Sequence, residues 1–409
     1  MAEIISKIWG EEHWIVNRDY AGKKMVLFKG HQCSLHMHKI KDETFFVNKG
    51  VVLIEVDGER RLMYPGDDQL ILPFQLHRFT AINADAEIME FSTHHYDTVD
   101  SDNFRAVQSR IIERATISNP EVYITGNRGY LGRAIETFFK KQGVITYGSD
   151  IEFIDITEMD TFVKELENVK PKVIIHTAAM SDWYACEKNP ELAKKINIEA
   201  TKTIVNYCKS NSIPLVYLST DFIFSGKKNF YTESDLPDPM NIYGATKAEA
   251  ENYVRTHKEH LIIRTGTFYG ISYLIDRPVF ANKVIRKLSK GEKYPVATDE
   301  ISTPTLIQDI AEVIYKLLQK KLKGTYNIAG SDSYSRFDYA KQIANIFGLD
   351  SSLLIPSSMF DLGLDSKRPQ KLILKIEKLK SEGIFTNSLL NGLAIMKSDF
   401  ESIQNLIPK

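Results

Sequence analysis

A chain of 409 residues is too long for one ordinary core and implies two to three domains. Its 43% hydrophobic and 26% charged residues are those of a soluble globular protein. A formal net charge of -1 leaves no basic excess to neutralise phosphates, which excludes a general nucleic-acid binder. No apolar run reaches the length of a bilayer span, so no membrane partner is expected. The opening "MAEIISKIWGEEHW" lacks a secretory apolar core. Cys33, Cys186 and Cys208 are scattered and odd in number, so reduced thiols and a cytoplasmic location are expected.

In chain order, the first hundred residues are strand-like. "KKMVLFKG", "TFFVNKG", "VVLIEVDG" and "AEIMEFST" are short runs separated by turn pairs such as Asp57-Gly58 and Pro65-Gly66. That spacing predicts an all-β barrel or sandwich. Within it, "GHQCSLHMHKIKDETFFVNKG" sets His36 and His38 two apart on one strand, where both face the same side. Glu43 follows a short turn and can join them, and "PGDDQLILPFQLHRFTAIN" adds His77. Three imidazoles and a carboxylate make a divalent transition-metal set (Zn, Mn, Fe or Ni) with positions left for substrate. The His94-His95 pair is read as a solvated strand end.

The spacing from Gly30 through His36, His38 and Glu43 to Gly50 resembles the first motif of the cupin family. The second segment resembles the second motif, but has Gln75 where glycine is usual and its histidine one residue early. "IWGEEHW" and "EFSTHHYDTVDSDNFR" are similar to the phosphomannose-isomerase-type cupins. The resemblance implies a cupin domain over residues 1–112 that isomerises or epimerises a sugar or sugar phosphate.

"NFRAVQSRIIERATISNP" is polar and weakly helical, and residues 113–119 are expected to be a linker. From residue 120 the pattern changes. "EVYITG", "GVITYG", "KVIIHTAA", "PLVYLST" and "LIIRTG" alternate with stretches of helical spacing. This predicts an α/β Rossmann-type, doubly wound parallel sheet over 120–275, followed by a small mixed substrate lobe in 276–409. In "VYITGNRGYLGRAIETFF" a strand, a turn with Gly126, Gly129 and Gly132, and a helix succeed one another. Such a turn aims backbone N–H groups at a dinucleotide pyrophosphate. Gly126, Asn127, Arg128, Gly129, Tyr130, Leu131 and Gly132 are therefore assigned to the cofactor. Arg128 points to NADP(H), whereas Asp150 keeps NAD(H) open; Asp155 and Ile156 are expected near the adenine.

"NIYGATKAEAENY" places Tyr243 and Lys247 one turn apart on one helix face, after the strand "LVYLSTDFIFSG" that carries Thr220 and Asp221. Lys247 is expected to lower the phenol pKa, and Tyr243 to act as general acid in a hydride transfer. These segments, with "HTAAMSDWYACEKNPELAKKINIEAT", "STPTLIQDIA" and "KRPQKLILKIEKL", resemble extended short-chain dehydrogenase/reductases of the dTDP-4-dehydrorhamnose reductase group. The resemblance implies Thr220, Tyr243 and Lys247 as the catalytic triad. It places Ala178, Ala179 and Lys247 on the nicotinamide side and Arg368 at the substrate; Asp221, beside Thr220 at the strand end, is assigned to the substrate as well. The sequence departs from the group at Leu372, Lys375, Trp183 and Tyr184.

Taken together, these features predict a bifunctional sugar-modifying enzyme for surface polysaccharide precursors. One half is a metal cupin, the other an NAD(P)H-dependent reductase of a nucleotide-linked keto-sugar. A homodimer is expected. The alternative is a sugar-sensing cupin joined to a regulatory, NADP-holding domain similar to methionine adenosyltransferase β subunits.

Overall fold

The computed structural model describes residues 3–7, 9–17, 20–38, 41–81, 85–93, 103–107, 110–111, 120–151, 154–270, 279–364 and 367–406. The expected linker at 113–119 and the His94-His95 pair lie outside the described residues. The chain forms two compact units, one from its first 116 residues and the other mainly from residue 117 onward.

The first unit is antiparallel β throughout. Its strands are β1 (Glu3–Lys7), β2 (Gly10–Asn17), β3 (Tyr20–Leu27), β4 (His31–Gln32), β5 (Leu35–His38), β6 (Glu43–Lys49) and β7 (Val52–Val56). They continue as β8 (Glu59–Met63), β9 (Asp68–Ile71), β10 (His77–Ala81), β11 (Ala86–Thr93), β12 (Asn103–Val107) and β13 (Arg110–Ile111). One sheet runs β1-β2-β3-β11-β6-β9, the other β12-β5-β10-β4-β13 with β7 and β8 added beside β10. Met25, Leu27, Phe45, Val47 and Ile88 of the first sheet and Val52, Ile54, Met63 and Phe79 of the second share one buried cluster. Two sheets closed over a common core are thus the all-β half that the turn spacing predicted.

The period-2 pattern explains what points inward. In β6, Glu43, Phe45 and Val47 are buried while Thr44, Phe46 and Asn48 are not. In β11, Ala86, Ile88 and Glu90 are buried on the same alternation. Two carboxylates therefore enter the interior, and each must find a cation there.

The second unit is built on β14 (Val122–Thr125), α1 (Tyr130–Lys141), β15 (Thr146–Ser149), α2 (Met159–Val169), β16 (Val173–His176), α3 (Trp183–Lys188) and α4 (Pro190–Lys194). A single π-helical turn, Lys195–Glu199, leads into α5 (Ala200–Asn211), followed by β17 (Leu215–Thr220), α6 (Ile242–Arg255) and β18 (His260–Thr265). All strands pair in parallel in the order β15-β14-β16-β17-β18, with Gly324–Asn327 as the sixth strand beside β18. The sheet is thus completed from beyond residue 275. β14 and β17 are buried along their whole length, as a sheet covered on both faces requires. The lobe has its own core, with Val284, Leu288, Tyr339, Ile343, Leu389 and Leu393 among its members. Among the described residues no helix is long and apolar enough to cross a membrane.

Candidate functional site

In the first unit, β5 and β10 pair with His36 opposite His77. Their ring centroids are 4.4 Å apart, and those of His36 and His38 5.2 Å. One nitrogen from each of His36, His38 and His77 lies within 4.8 Å of the other two. His36 Nδ1 lies 2.8 Å from the Ser34 carbonyl oxygen, and His77 Nδ1 lies 3.0 Å from that of Gln75. Donation from Nδ1 leaves the Nε2 lone pair of each ring available. Burial, reinforced by His77, pulls the His36 pKa down to about 3, so its imidazole is neutral.

Glu43 comes from the opposite sheet. Its Oε2 is 3.0 Å from His77 Nε2 and its Oε1 3.6 Å from His38 Nε2. Neither Glu43 Oε2 nor His77 Nε2 has a well-aligned hydrogen bond, although both are buried. A three-imidazole cluster with a buried carboxylate beside it fits a metal ligand set. Lys41, which sequence reasoning missed, also bonds this carboxylate at 2.5 Å and reaches Glu90 at 2.7 Å. Lys23 then meets Glu90 at 3.0 Å. Burial pushes the Glu43 carboxyl upward, but His77, Lys41 and His38 outweigh it and hold the group well below its ordinary value. Glu90 was legible in "AEIMEFST", where it keeps phase with Ala86 and Ile88. Nothing local marks Lys41.

In the second unit, the glycine loop follows β14. Gly126 has φ +66°, and a Cβ on it would lie 2.9 Å from the Ala178 backbone. The loop and the Ala178-Ala179 segment after β16 are therefore held together at the point where the sheet order reverses about β14. Arg128 N–H donates to Asp150 Oδ2 at 3.1 Å, so Asp150 braces the loop backbone. The Asn127 side chain donates to Glu136 at 2.9 Å. Gly129 caps α1, and Leu131 packs on the sheet core. Tyr130 is turned inward: its hydroxyl donates to the Gly270 carbonyl and its ring stacks on Phe268. Its side chain thus anchors α1. Ile156 is buried and Asp155 half-buried.

Asn241 caps α6 by accepting from Gly244 N–H at 2.8 Å. A Cβ on Gly244 would lie 2.0 Å from the Phe222 carbonyl oxygen. Only glycine lets the first turn of α6 close on the segment after β17, and this brings Tyr243 beside Thr220. Lys247 is buried, with its Nζ 4.1 Å from the Tyr217 ring centroid. Burial pulls its pKa down to about 7, with Glu251 acting in the opposite direction.

The expected lowering of the Tyr243 pKa by Lys247 is not found. Burial raises the phenol well above its ordinary value, with Thr220 as the opposing influence. The physical reason is that the lysine packs over Tyr217, in surroundings that disfavour both charged forms.

Asp221 is buried. Burial pushes its carboxyl up to about 7; the Thr220 hydroxyl, which donates to it at 3.3 Å, and Arg368 act the other way. Arg368 donates to Glu300 at 2.8 Å. Asn197, in the π-helical turn, was not foreseen. It accepts from Met180 N–H at 2.9 Å and donates to the Met180 carbonyl at 3.1 Å and to Thr246 at 3.0 Å. It fixes the loop after β16 to α6, and its only sequence signal is an asparagine within an otherwise amphipathic helix.

Residues 120–396 match the RmlD substrate binding domain family. The chain is 29% identical to a probable low-salt glycan biosynthesis reductase, Agl14, of Haloferax volcanii over 292 residues, covering 68% of this chain and 97% of that protein. It is 27% identical to methionine adenosyltransferase 2 subunit beta of Mus musculus, covering 66% of this chain and 85% of that one. Among solved structures, the dTDP-4-dehydrorhamnose reductase of Bacillus anthracis in complex with NADP superposes with a TM-score of 0.65 at 30% identity, covering 69% of this chain and 99% of that one. The Clostridium acetobutylicum dTDP-4-dehydrorhamnose reductase gives 0.64 at 30% identity, covering 68% and 99%. With glycine loop, capped α6 and parallel sheet all in the matched span, the chain belongs to the RmlD substrate binding domain family.

Proposed function

We propose that the second unit is an NADP(H)-dependent reductase of a nucleotide-linked keto-sugar, acting in the synthesis of glycan precursors. What supports this reading is a parallel sheet that opens with a glycine loop and whose strand β17 ends in Thr220, with Tyr243 beside it and Lys247 buried one turn further along α6. The named relatives, a glycan biosynthesis reductase and dTDP-4-dehydrorhamnose reductases, support the substrate class.

The nicotinamide, when bound, supplies the hydride that adds to the carbonyl carbon. The Tyr243 phenol, kept protonated by burial, delivers its proton to the carbonyl oxygen, and an alcohol results. The Thr220 hydroxyl orients that oxygen. Lys247, already buried and partly neutral, gains charge where an anionic cofactor approaches. Gly126 to Gly132 would hold the pyrophosphate, and Ala178 and Ala179 would flank the nicotinamide. Asp155 and Ile156 would lie on the adenine side, and Asp221 and Arg368 on the sugar side. Oxidation of NADPH by the purified chain against a panel of nucleotide-linked 4-keto-sugars tests the reading. No turnover with any of them would reject it.

For the first unit we propose a cupin in which His36, His38, His77 and Glu43 hold one divalent metal. The support is the imidazole cluster with the Glu43 carboxylate beside it. Such an ion would polarise sugar carbonyl and hydroxyl oxygens for isomerisation or epimerisation. A second reading is favoured by the similarity to methionine adenosyltransferase 2 subunit beta: a regulatory NADP-holding domain without turnover. Intact Thr220, Tyr243 and Lys247 weigh against it.

A further inference from the structure

A line of alternating charges runs from the imidazole cluster of the first unit toward its surface. Glu43 in β6, Glu90 in β11 and Lys23 in β3 are all buried, and Glu90 stands opposite Lys23 where β11 pairs with β3. Lys41, just before β6, bridges the two carboxylates. Each acid in the line then divides its oxygens. Glu43 gives Oε1 to Lys41 at 2.5 Å and turns Oε2 to His77 Nε2 at 3.0 Å. Glu90 gives Oε1 to Lys41 at 2.7 Å and Oε2 to Lys23 at 3.0 Å. Glu12 gives Oε1 to Lys23 at 3.5 Å and Oε2 to Lys7 at 3.7 Å. Exposure rises along the line, from 2% for the Glu43 side chain to 36% for that of Lys7. The Trp14 ring, 5.1 Å from the Lys23 ammonium, helps to hold that lysine in place.

Stability does not account for such a line. Taking Glu43, Lys41, Glu90 and Lys23 out of water as ions is costly, and apolar side chains of similar volume serve a core at least as well. What the line does achieve is a carboxylate with two unlike oxygens. A carboxylate binds a cation through one oxygen or through both, and partners outside the ligand set fix its orientation. The Lys41 ammonium makes a short charge-assisted bond to Glu43 Oε1, while Oε2 stays against the imidazoles. Oε1 is 3.6 Å from His38 Nε2, too far for a hydrogen bond. Glu90 offsets the charge of Lys41, which would otherwise repel a cation nearby.

We infer that Lys41 is a positioning residue for the metal carboxylate: it engages Glu43 Oε1, so that Oε2 alone is offered to the ion, and Glu90, fixed by Lys23, keeps it there. The inference rests on the metal reading proposed above. Its consequence is an open position for a substrate oxygen, which a carboxylate bound through both oxygens would fill.

The test uses the full chain, stripped with a chelator and reloaded with Co2+, whose visible bands weaken as ligands are added. The parent should bind about one equivalent. In Lys41→Met the freed Oε1 should join the ion and the bands should lose intensity. Lys41→Arg, which keeps a cation at Oε1, should keep them. Glu90→Gln leaves Lys41 to Glu43 alone and should weaken cobalt binding by about tenfold to a hundredfold, the range for loss of an outer-shell partner. Parental bands in Lys41→Met, lost bands in Lys41→Arg, or parental affinity in Glu90→Gln would each overturn the positioning role. The last of these decides even where the methionine variant does not fold. Cobalt absent from the parent, or equal in His36→Ala/His38→Ala, would instead reject the metal reading itself.

Discussion

The Lys247 ammonium sits over the Tyr217 ring, 4.1 Å from its centroid, in a fully enclosed position. Burial lowers its pKa from 10.5 to about 7, so between those values the unfolded chain binds this proton more readily than the folded one. The resulting loss of stability is complete below about pH 7, shrinks as pH rises and is gone above 10.5. Lys247→Met should melt higher than the parent below pH 7, with the two curves converging in alkali, while NADPH binding weakens. A variant that melts lower than the parent throughout would refute this account.

Asp221 has the opposite sign. Its carboxyl is raised from 3.8 to about 7, chiefly by burial, so the folded chain holds the proton more tightly across that interval. The cost is absent below 3.8 and full above about pH 7. Asp221→Asn keeps the size and the acceptor for Thr220. Its melting temperature should exceed the parent's above pH 7 and match it in acid, as followed by circular dichroism at each pH.

Tyr243→Phe removes one hydroxyl from a half-buried ring whose neighbour Phe222 lies 5.9 Å away. Fold and NADPH quenching should be kept, and turnover should fall by ~10²–10⁴-fold, as for the loss of a general acid. Wild-type turnover in this variant would make Tyr243 structural and favour the regulatory reading.

Elemental analysis addresses the first unit. The parent should carry about one equivalent of divalent metal, as expected for one ligand cluster, and the His36→Ala/His38→Ala variant none. Equal metal in both would exclude the site. Lys41→Met should destabilise the unit by about 3–5 kcal/mol, because it removes the buried cation that Glu43 and Glu90 share and leaves only Lys23 to Glu90 and the imidazoles to Glu43. Urea denaturation of this variant against the parent gives the figure.

Expression of 1–112 and 117–409 as separate chains tests independence of the two units. Each should be soluble, with its own cooperative melt. Failure of both would contradict a division near residues 105–119.

Much of this protein was legible in its sequence because period and spacing are local properties. Alternation in "ETFFVNK" and "AEIMEFST" specifies which faces of β6 and β11 are buried. The glycines of 126–132 announce a strand–turn–helix, and Tyr243 with Lys247 fall on one helix face by 3.6-residue geometry. His36 and His38 share a face for the same reason. What tertiary structure alone decided is pairing across long separations. His77 stands opposite His36 only because β10 pairs with β5 in that register. Lys41 takes Glu43 and Glu90 because those carboxylates enter one interior from adjacent strands. The phenol of Tyr243 is raised where the sequence led us to expect lowering, since burial depends on Gly244 meeting Phe222 and outweighs a lysine one turn away. Glu300, Arg336 and Arg368, from three separate segments, meet at one carboxylate. No periodicity encodes such meetings, because charge pairing and desolvation act through space and not along the chain.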